Sequence, residues 1–179
     1  MTPVTIEPLT ENEAKELIQL LGKIPYRVSS EATEVILRMT GRQPYLIQLI
    51  CKSLFNAMIL SGRETAARKD VEEILEQEIL PHEPYFSDYR RLIGDDIDIL
   101  RALAVARERL GHRRRFVAID MIADQLRSIG HIIRRGELQS RLQQMEKAER
   151  PLVERNPSRG DSYRIVIGLL ERLLEDESA

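Results

Sequence analysis

The apolar residues of this 179-residue chain recur at helical spacing along most of its length and change to alternation only near the C-terminal end. The first segment is typical. Thr10 precedes Glu11 and Glu13, as at a helix start, and an apolar stripe follows at Ala14, Leu17, Ile18 and Leu21. Leu, Ile, Glu, Arg and Ala dominate the composition. Because most of these residues favour helices, the sequence predicts a mainly α protein.

The most apolar segment runs from Tyr45 to about Leu60 and predicts one long helix. Pro44 stands at its start, where a missing N–H is tolerated, and Ser61-Gly62 is a stop signal. The polar residues of this helix form one narrow strip, so we expect it to be the central buried helix of a small bundle. The same residues argue against a membrane span because they interrupt the apolar run: Gln48, Lys52, Ser53 and Asn56.

The part of the chain after Gly94 has a different order of elements. Three predicted helices precede two short alternating segments, residues 152–155 and 163–167, which flank the turn-forming residues 156–160. These segments predict a β-hairpin, and a last helix over 168–177 follows. The order predicts a winged helix-turn-helix, with the helix from Glu137 to about Ala148 in the recognition position. We therefore predict a mainly α fold with two domains: a helical bundle over residues 1–93 and a winged-helix domain with a small β-hairpin over residues 94–179.

No group of residues in the sequence has the spacing of a catalytic or metal site. None of the nine glycines belongs to a phosphate-binding P-loop, and the three histidines lack neighbours that would complete a zinc site. Cys51 lies in the most apolar helix, which favours a buried structural thiol over a nucleophile. Asp95, Asp96 and Asp98 are expected to face the positive end of a helix dipole rather than a metal. We expect no enzymatic activity and no metal or cofactor bound by this chain alone.

Cysteine usage and the N-terminal residues predict a cytoplasmic location. The single Cys excludes an intramolecular disulfide, which fits a reducing compartment. The first residues lack the basic region and apolar run of a signal peptide.

Two stretches of the first half resemble a known family. They are residues 6–14, IEPLTENEA, and residues 30–51, which contain TGRQPYLIQ at 40–48. They resemble the segment that follows the P-loop core in AAA+ and STAND ATPases of bacteria and archaea. There, an entry sequence leads into a helical lid, and a Thr-Gly-Gly-x-Pro-Tyr motif begins the lid's central helix. A winged helix after the lid is also similar to that family.

The resemblance implies that the turn before the long helix faces a nucleotide. In such ATPases the Gly–Pro turn lies against the bound nucleotide, which implies that Gly41 and Pro44 contact adenine or ribose. Arg42 replaces the family's second glycine. A cation at a helix N-terminus is unfavourable without an anion, so Arg42 is a candidate sensor of phosphate; the alternative is a solvated Arg42 beside a simple helix stop and start. ATP or ADP and Mg²⁺ are expected only in an intact parent protein that contains the P-loop core.

Charge is distributed unevenly along the chain. Residues 1–94 hold 11 basic and 14 acidic side chains, net −3, whereas residues 107–164 hold 14 basic and 8 acidic ones, net +6. A basic winged helix suggests DNA. Glu137, Glu146 and Glu149 argue against DNA, because each would approach phosphate unfavourably. The candidate contacts for nucleic acid or a partner are Arg113, Arg114, Arg115, Arg134, Arg135, Gln139, Gln143, Lys147, Arg155 and Arg159.

Two functions remain open. The favoured one, implied by the resemblance, is a non-catalytic C-terminal regulatory and interaction module of an AAA+/STAND-like ATPase. It would couple the nucleotide state to contacts with its own ATPase core or with a protein partner. The alternative is a winged-helix module of an ATPase-type loader or regulator that binds double-stranded DNA. Neither function involves a membrane.

Overall fold

The chain is mainly helical with small sheets, as the apolar spacing predicts. The computed structural model describes residues 7–21, 26–81, 87–111, 116–148 and 150–176. The chain divides into two compact units, residues 1–85 and residues 86–179, called the first and second unit below. The boundary between the units lies nearer the N-terminus than the predicted boundary at Gly94. The helix Ser87–Ile93 belongs to the second unit, because it continues through a 3₁₀ turn, Gly94–Asp96, into the helix that begins at Ile97.

The first unit contains four α-helices in its described residues, joined by short connections. They are α1 (Glu11–Leu21), α2 (Ser30–Thr40), α3 (Pro44–Ser61) and α4 (Arg68–Ile74), which continues as a π-helical turn over Leu75–Ile79. α3 packs against α1, α2 and α4. Two strands of two residues each, β1 (Arg27–Val28) and β2 (Thr65–Ala66), pair in parallel. The sequence did not predict them, because two residues are too few to show a period.

Polar caps and glycines set the helix ends of the first unit. Glu13 Oε2 accepts hydrogen bonds from the Thr10 N–H at 2.8 Å and from the Thr10 hydroxyl at 2.7 Å, while Thr10 Oγ1 accepts from the Glu13 N–H at 3.3 Å. This is a capping box, and it confirms the predicted start of α1. Ser29 Oγ accepts from the Ala32 N–H at 3.1 Å at the start of α2. Gly62, at φ 64°, ends α3 as predicted.

Asp70 is a common N-cap residue type and stands directly before an apolar stripe, which predicts that it caps a helix, but it does not cap α4. The helix begins two residues earlier, so Asp70 is its third residue. From there its carboxylate accepts a hydrogen bond from the backbone N–H of Ala67 at 2.7 Å and one from Arg63 Nη1 at 2.7 Å. The carboxylate therefore satisfies an unpaired N–H of the first turn from inside the helix.

Helix α3 is half exposed, so the prediction of a central buried helix is wrong in part. Its buried face consists of Leu46, Ile47, Ile50, Cys51, Leu54 and Met58. The predicted polar strip lies mostly on the opposite face, but large apolar side chains lie beside it: Tyr45, Phe55, Ile59 and Leu60, the last 87% exposed. By length and composition alone, α3 is the one helix in the described ranges that could cross a membrane. Core helices pass the same test, and α3 packs against three others.

The second unit combines helices with a three-stranded antiparallel sheet. Within its described residues the helices are α5 (Ser87–Ile93), α6 (Ile97–Arg109), α7 (Ile119–Ser128), α8 (Arg135–Glu146) and α9 (Gly168–Asp176). The strands are β3 (Val117–Ala118), β4 (Val153–Arg155) and β5 (Ser162–Ile165), in the order β3-β5-β4. The β4–β5 hairpin is confirmed, with Arg155 opposite Tyr163. Strand β3 was not predicted.

The core of the second unit lies between α6 and the elements around it. α6 packs against α7, α9 and β5, and α7 packs against α8. The apolar residues of α8 are buried: Leu138, Leu142 and Met145. Most of the leucines of α9 are buried as well: Leu169, Leu170 and Leu174. Arg107 of α6 and Glu171 of α9 form an ion pair in which the Glu171 side chain is only 8% exposed. This pair fixes the last helix on α6.

Candidate functional site

The turn between α2 and α3 has two consecutive residues in the left-handed region. Gly41 has φ 56° and Arg42 has φ 63°, and Arg42 is the only non-glycine residue with a positive φ among those described. A side chain in this conformation costs about 1 kcal/mol or more relative to glycine. The turn is held by bonds to Thr40, whose Oγ1 accepts from the Arg42 N–H at 3.2 Å and whose carbonyl accepts from the Gln43 N–H at 3.1 Å. The Arg42 carbonyl in turn accepts from the Leu9 N–H at 3.0 Å.

Several hydrogen-bond donors lie at this turn with no acceptor among the residues that the structure describes. Tyr45 and Leu46 lie in the first turn of α3, where backbone N–H groups have no intrahelical partner. Gln43, the residue that caps α3, is 6% exposed and does not bond to the helix through its side chain. Its Nε2 has no hydrogen-bond partner among the described residues. Donors of this kind can bind an anion or a hydroxyl-bearing group. The nucleotide contacts of Gly41, Arg42 and Pro44 stay a prediction.

The side chain of Arg42 adds a positive charge to this end of α3. It is exposed and makes no hydrogen bond or ion pair with a residue that the structure describes. The charge of Arg42 acts on the pKa of Glu11. A hydrogen bond and the charge of Lys15, with a smaller contribution from the charge of Arg42, hold the pKa of Glu11 below its usual range. The guanidinium of Arg42 is thus available to a further anion.

The predicted contact residues of α8 lie on its outer face. Arg134, Arg135, Gln139 and Lys147 are exposed, and Gln143 is half-buried. Arg135 is already occupied: it pairs with Asp120 and lies 3.8 Å from Asp161. Arg134 and Lys147 have no side-chain partner in the described ranges. The outer face of α8 therefore holds fewer available cations than its sequence suggests.

The β-hairpin carries one paired and one unpaired arginine. Arg155 Nε lies 3.5 Å from Glu146 Oε1. Arg159, at the exposed tip, has no side-chain partner in the part of the chain that the structure describes. The predicted contacts Arg113, Arg114 and Arg115 lie outside the described residues.

Several titratable groups of the described residues are buried or paired with a neighbouring side chain. Burial raises the pKa of the Cys51 thiol to about 12, and the Cys51 carbonyl accepts a hydrogen bond from the Tyr26 hydroxyl at 3.2 Å. Asp98 lies 3.5 Å from Arg101 and 3.4 Å from His131 Nε2. No group of three His, Cys, Asp or Glu side chains that could hold a metal occurs in the described ranges.

The sequence identified the residues of the turn. It did not show their backbone conformation, their burial or the ion pairs of the predicted cations. The left-handed backbone of Arg42 and the buried amide of Gln43 are not apparent from the types of these two residues. Arg135 pairs with an acid 15 positions away in sequence, and Arg155 pairs with an acid 9 positions away. Comparison of the chain with protein-family models and with curated proteins gives no match.

Proposed function

We propose that this chain is a non-catalytic regulatory and interaction module of an AAA+/STAND-like ATPase, with the first unit as helical lid and the second as winged helix. The observation that carries the proposal is the turn at Gly41 and Arg42. The motif that this stretch resembles has two glycines there, and both positions here adopt the left-handed backbone that favours glycine. This supports the proposal, because two consecutive glycines adopt such a backbone readily.

The turn would contact a nucleotide held by a P-loop core. Such a nucleotide supplies phosphates and a ribose, whereas the turn supplies hydrogen-bond donors and the positive charge of Arg42. The N–H groups of Tyr45 and Leu46 and the Gln43 amide would bind oxygen atoms, and Arg42 would reach a phosphate. Because the turn connects α2 to α3, departure of the nucleotide would release the start of α3. This links the nucleotide state to the orientation of the lid.

The exposed face of α3 is the surface we assign to the core. At 100° per residue, Tyr45, Phe55, Ile59 and Leu60 fall within an arc of about 140° on the solvent side. Lys52 is the only charged residue of the 18-residue helix. An apolar surface on a single helix that adjoins the nucleotide-facing turn is typical of a docking face.

The order of elements supports the winged-helix part of the proposal. Helix α6, strand β3, helices α7 and α8 and the β4–β5 hairpin follow one another, and β3 joins the hairpin through its β5 edge. Arg135 and Arg155 are bound by acids of the same unit. This pairing favours protein contact over phosphate contact for this module.

Titration of the ¹⁵N-labelled chain with ADP tests the proposal. We expect shifts at millimolar ADP that are confined to the amides of residues 41–46, because the chain lacks a P-loop to bind more tightly. Arg42→Ala should weaken the apparent affinity about tenfold, as expected for one charge-assisted contact.

The matched control is Lys52→Ala, which removes an exposed cation from the same helix and should leave the titration unchanged. Shifts scattered over the chain, or an Arg42→Ala protein that responds like the parent, would contradict a nucleotide-facing turn.

DNA binding by the second unit is the other candidate function. One observation favours it: Arg134, Lys147 and Arg159 are exposed cations without side-chain partners in the described ranges. The exposed Gln139 lies on α8, between Arg134 and Lys147. Cations free of internal partners can neutralise phosphates, and glutamine can bind adenine.

Binding of a labelled random duplex at low and near-physiological salt tests this second function. If it is correct, Arg159→Glu combined with Lys147→Glu should weaken binding to every sequence. The salt slope should fall by roughly 0.9 for each phosphate that the variant no longer neutralises. Arg27→Glu, in the first unit, serves as the charge-reversal control. An absence of binding even at low salt would exclude this function.

A further inference from the structure

A cleft of about 170 Å³ opens in the second unit beside the start of α6 and the connection from α7 to α8. All of its lining residues belong to the second unit, and none of them lies in the β-hairpin. Its polar lining includes Asp95, Asp98, Glu137 and Arg141, together with His131. Its apolar lining consists of Ile99, Leu126, Ile132 and Ile133.

The cleft has unpaired negative charge. Asp98 is paired with Arg101 and His131, and Arg141 lies 3.3 Å from Asp96. Asp95 and Glu137 are exposed carboxylates that have no ion pair with any described residue. The charges of Arg141 and of the paired Asp98 are thus already balanced, and two carboxylates remain for a ligand.

The apolar lining defines what kind of cation fits. Ile99 and Leu126 are buried and form a floor, while Ile132 is 92% exposed at the rim. A floor of branched aliphatic side chains suits an alkyl chain, which an inorganic cation does not have. The described residues also contain no group that could hold a metal ion. A long basic side chain satisfies both parts of the lining.

We propose that this cleft binds an arginine side chain of a partner polypeptide, with an apolar residue next to that arginine covering Ile132. The alkyl part of the arginine lies on Ile99 and Leu126, and the guanidinium donates to Asp95 and Glu137. Arginine fits better than lysine because its planar fork can donate to two carboxylates at once. The partner is a protein segment, so the proposal does not depend on nucleotide or DNA binding.

The test uses the full ¹⁵N-labelled chain and three blocked peptides, acetyl-Leu-Arg-Leu-amide, acetyl-Leu-Gln-Leu-amide and acetyl-Leu-Glu-Leu-amide. The arginine peptide should shift the amides around Asp95, Ile132 and Glu137, and the other two peptides should not. The double variant Asp95→Asn, Glu137→Gln should bind the arginine peptide about tenfold more weakly. Both side chains are exposed, so the variant is expected to fold, and its amide spectrum verifies this.

Asp124→Asn is the matched control. It neutralises an exposed carboxylate of α7 that pairs with Arg127 at 2.6 Å and does not line the cleft, so arginine-peptide binding should stay unchanged. Equal binding of the glutamine peptide, an absence of shifts at the cleft, or full affinity in the folded double variant would each overturn the proposal. ADP is absent from these titrations, so their outcome is separate from that of the nucleotide test.

Discussion

Glu171→Ala is expected to lower the free energy of unfolding of the second unit by about 3–5 kcal/mol. Glu171 is 6% exposed and forms the ion pair with Arg107 that joins α9 to α6. Removal of the carboxylate takes the Glu171 contact from the Arg107 guanidinium, which is only 22% exposed. Urea unfolding followed by far-UV circular dichroism measures the loss, since the chain contains no tryptophan.

The double variant Arg107→Met, Glu171→Leu separates the effect of an unbalanced charge from that of weaker packing. When both charges are replaced by apolar side chains of similar size, no buried charge remains, and we expect stability close to that of the parent. A Glu171→Ala protein within 1 kcal/mol of the parent would mean that the pair is solvated in solution. A double variant as unstable as the single one would show that packing, not charge, dominates.

Leu54→Ala is expected to destabilise the first unit by about 3 kcal/mol, within the range of 2–5 kcal/mol for a buried leucine. The Leu54 side chain is fully buried on the inner face of α3, where this helix packs against its neighbours. Truncation leaves a cavity that the surrounding helices fill only in part. Native-state hydrogen exchange of the amides in α1 to α4 reports this loss for the first unit alone.

Leu60→Ala provides the matched comparison on the same helix. Leu60 is 87% exposed, so the same change of side chain should alter stability by no more than about 0.5 kcal/mol. If the exposed face of α3 is a docking surface, Leu60→Ala should instead reduce binding to the ATPase core. Equal destabilisation by the two substitutions would contradict the assignment of inner and outer faces.

Much of the fold could be predicted because local chemistry determines helix ends. The cap at Thr10, the stop at Gly62 and the hairpin around residues 156–160 each rest on residues within a few positions of one another. The predicted start of α4 was wrong because an aspartate can accept from a backbone N–H at the third position of a helix as well as at the N-cap, and Asp70 does so from the third position. Strands β1, β2 and β3 depend on pairing across long sequence separations, which a period cannot reveal.

The candidate site was predictable in its residue types but not in its backbone or charge balance. The TGRQPY stretch indicated the turn, yet nothing in the sequence shows that Arg42 adopts a glycine conformation. The exposure of Phe55 and Ile59 was missed because hydrophobicity alone does not tell a core face from an exposed apolar face. The cleft beside α6 joins residues from three helices and a connection, so no local motif marks it.

The parallel pairing of β1 with β2 has a consequence for how this chain could change. The Ser29 N–H donates to the Ala66 carbonyl at 3.0 Å and the Arg27 N–H to the Glu64 carbonyl at 2.8 Å, so the chain enters and leaves the segment of α2 and α3 at adjacent points. The two ends of this segment are thus hydrogen-bonded to each other, and the segment forms a closed loop of the chain. It can be lengthened without stretching the rest of the unit, because each doubling of a flexible loop costs only about 0.6 kcal/mol in closure entropy. An insertion between these two strands should therefore leave the pairing of β1 with β2 intact.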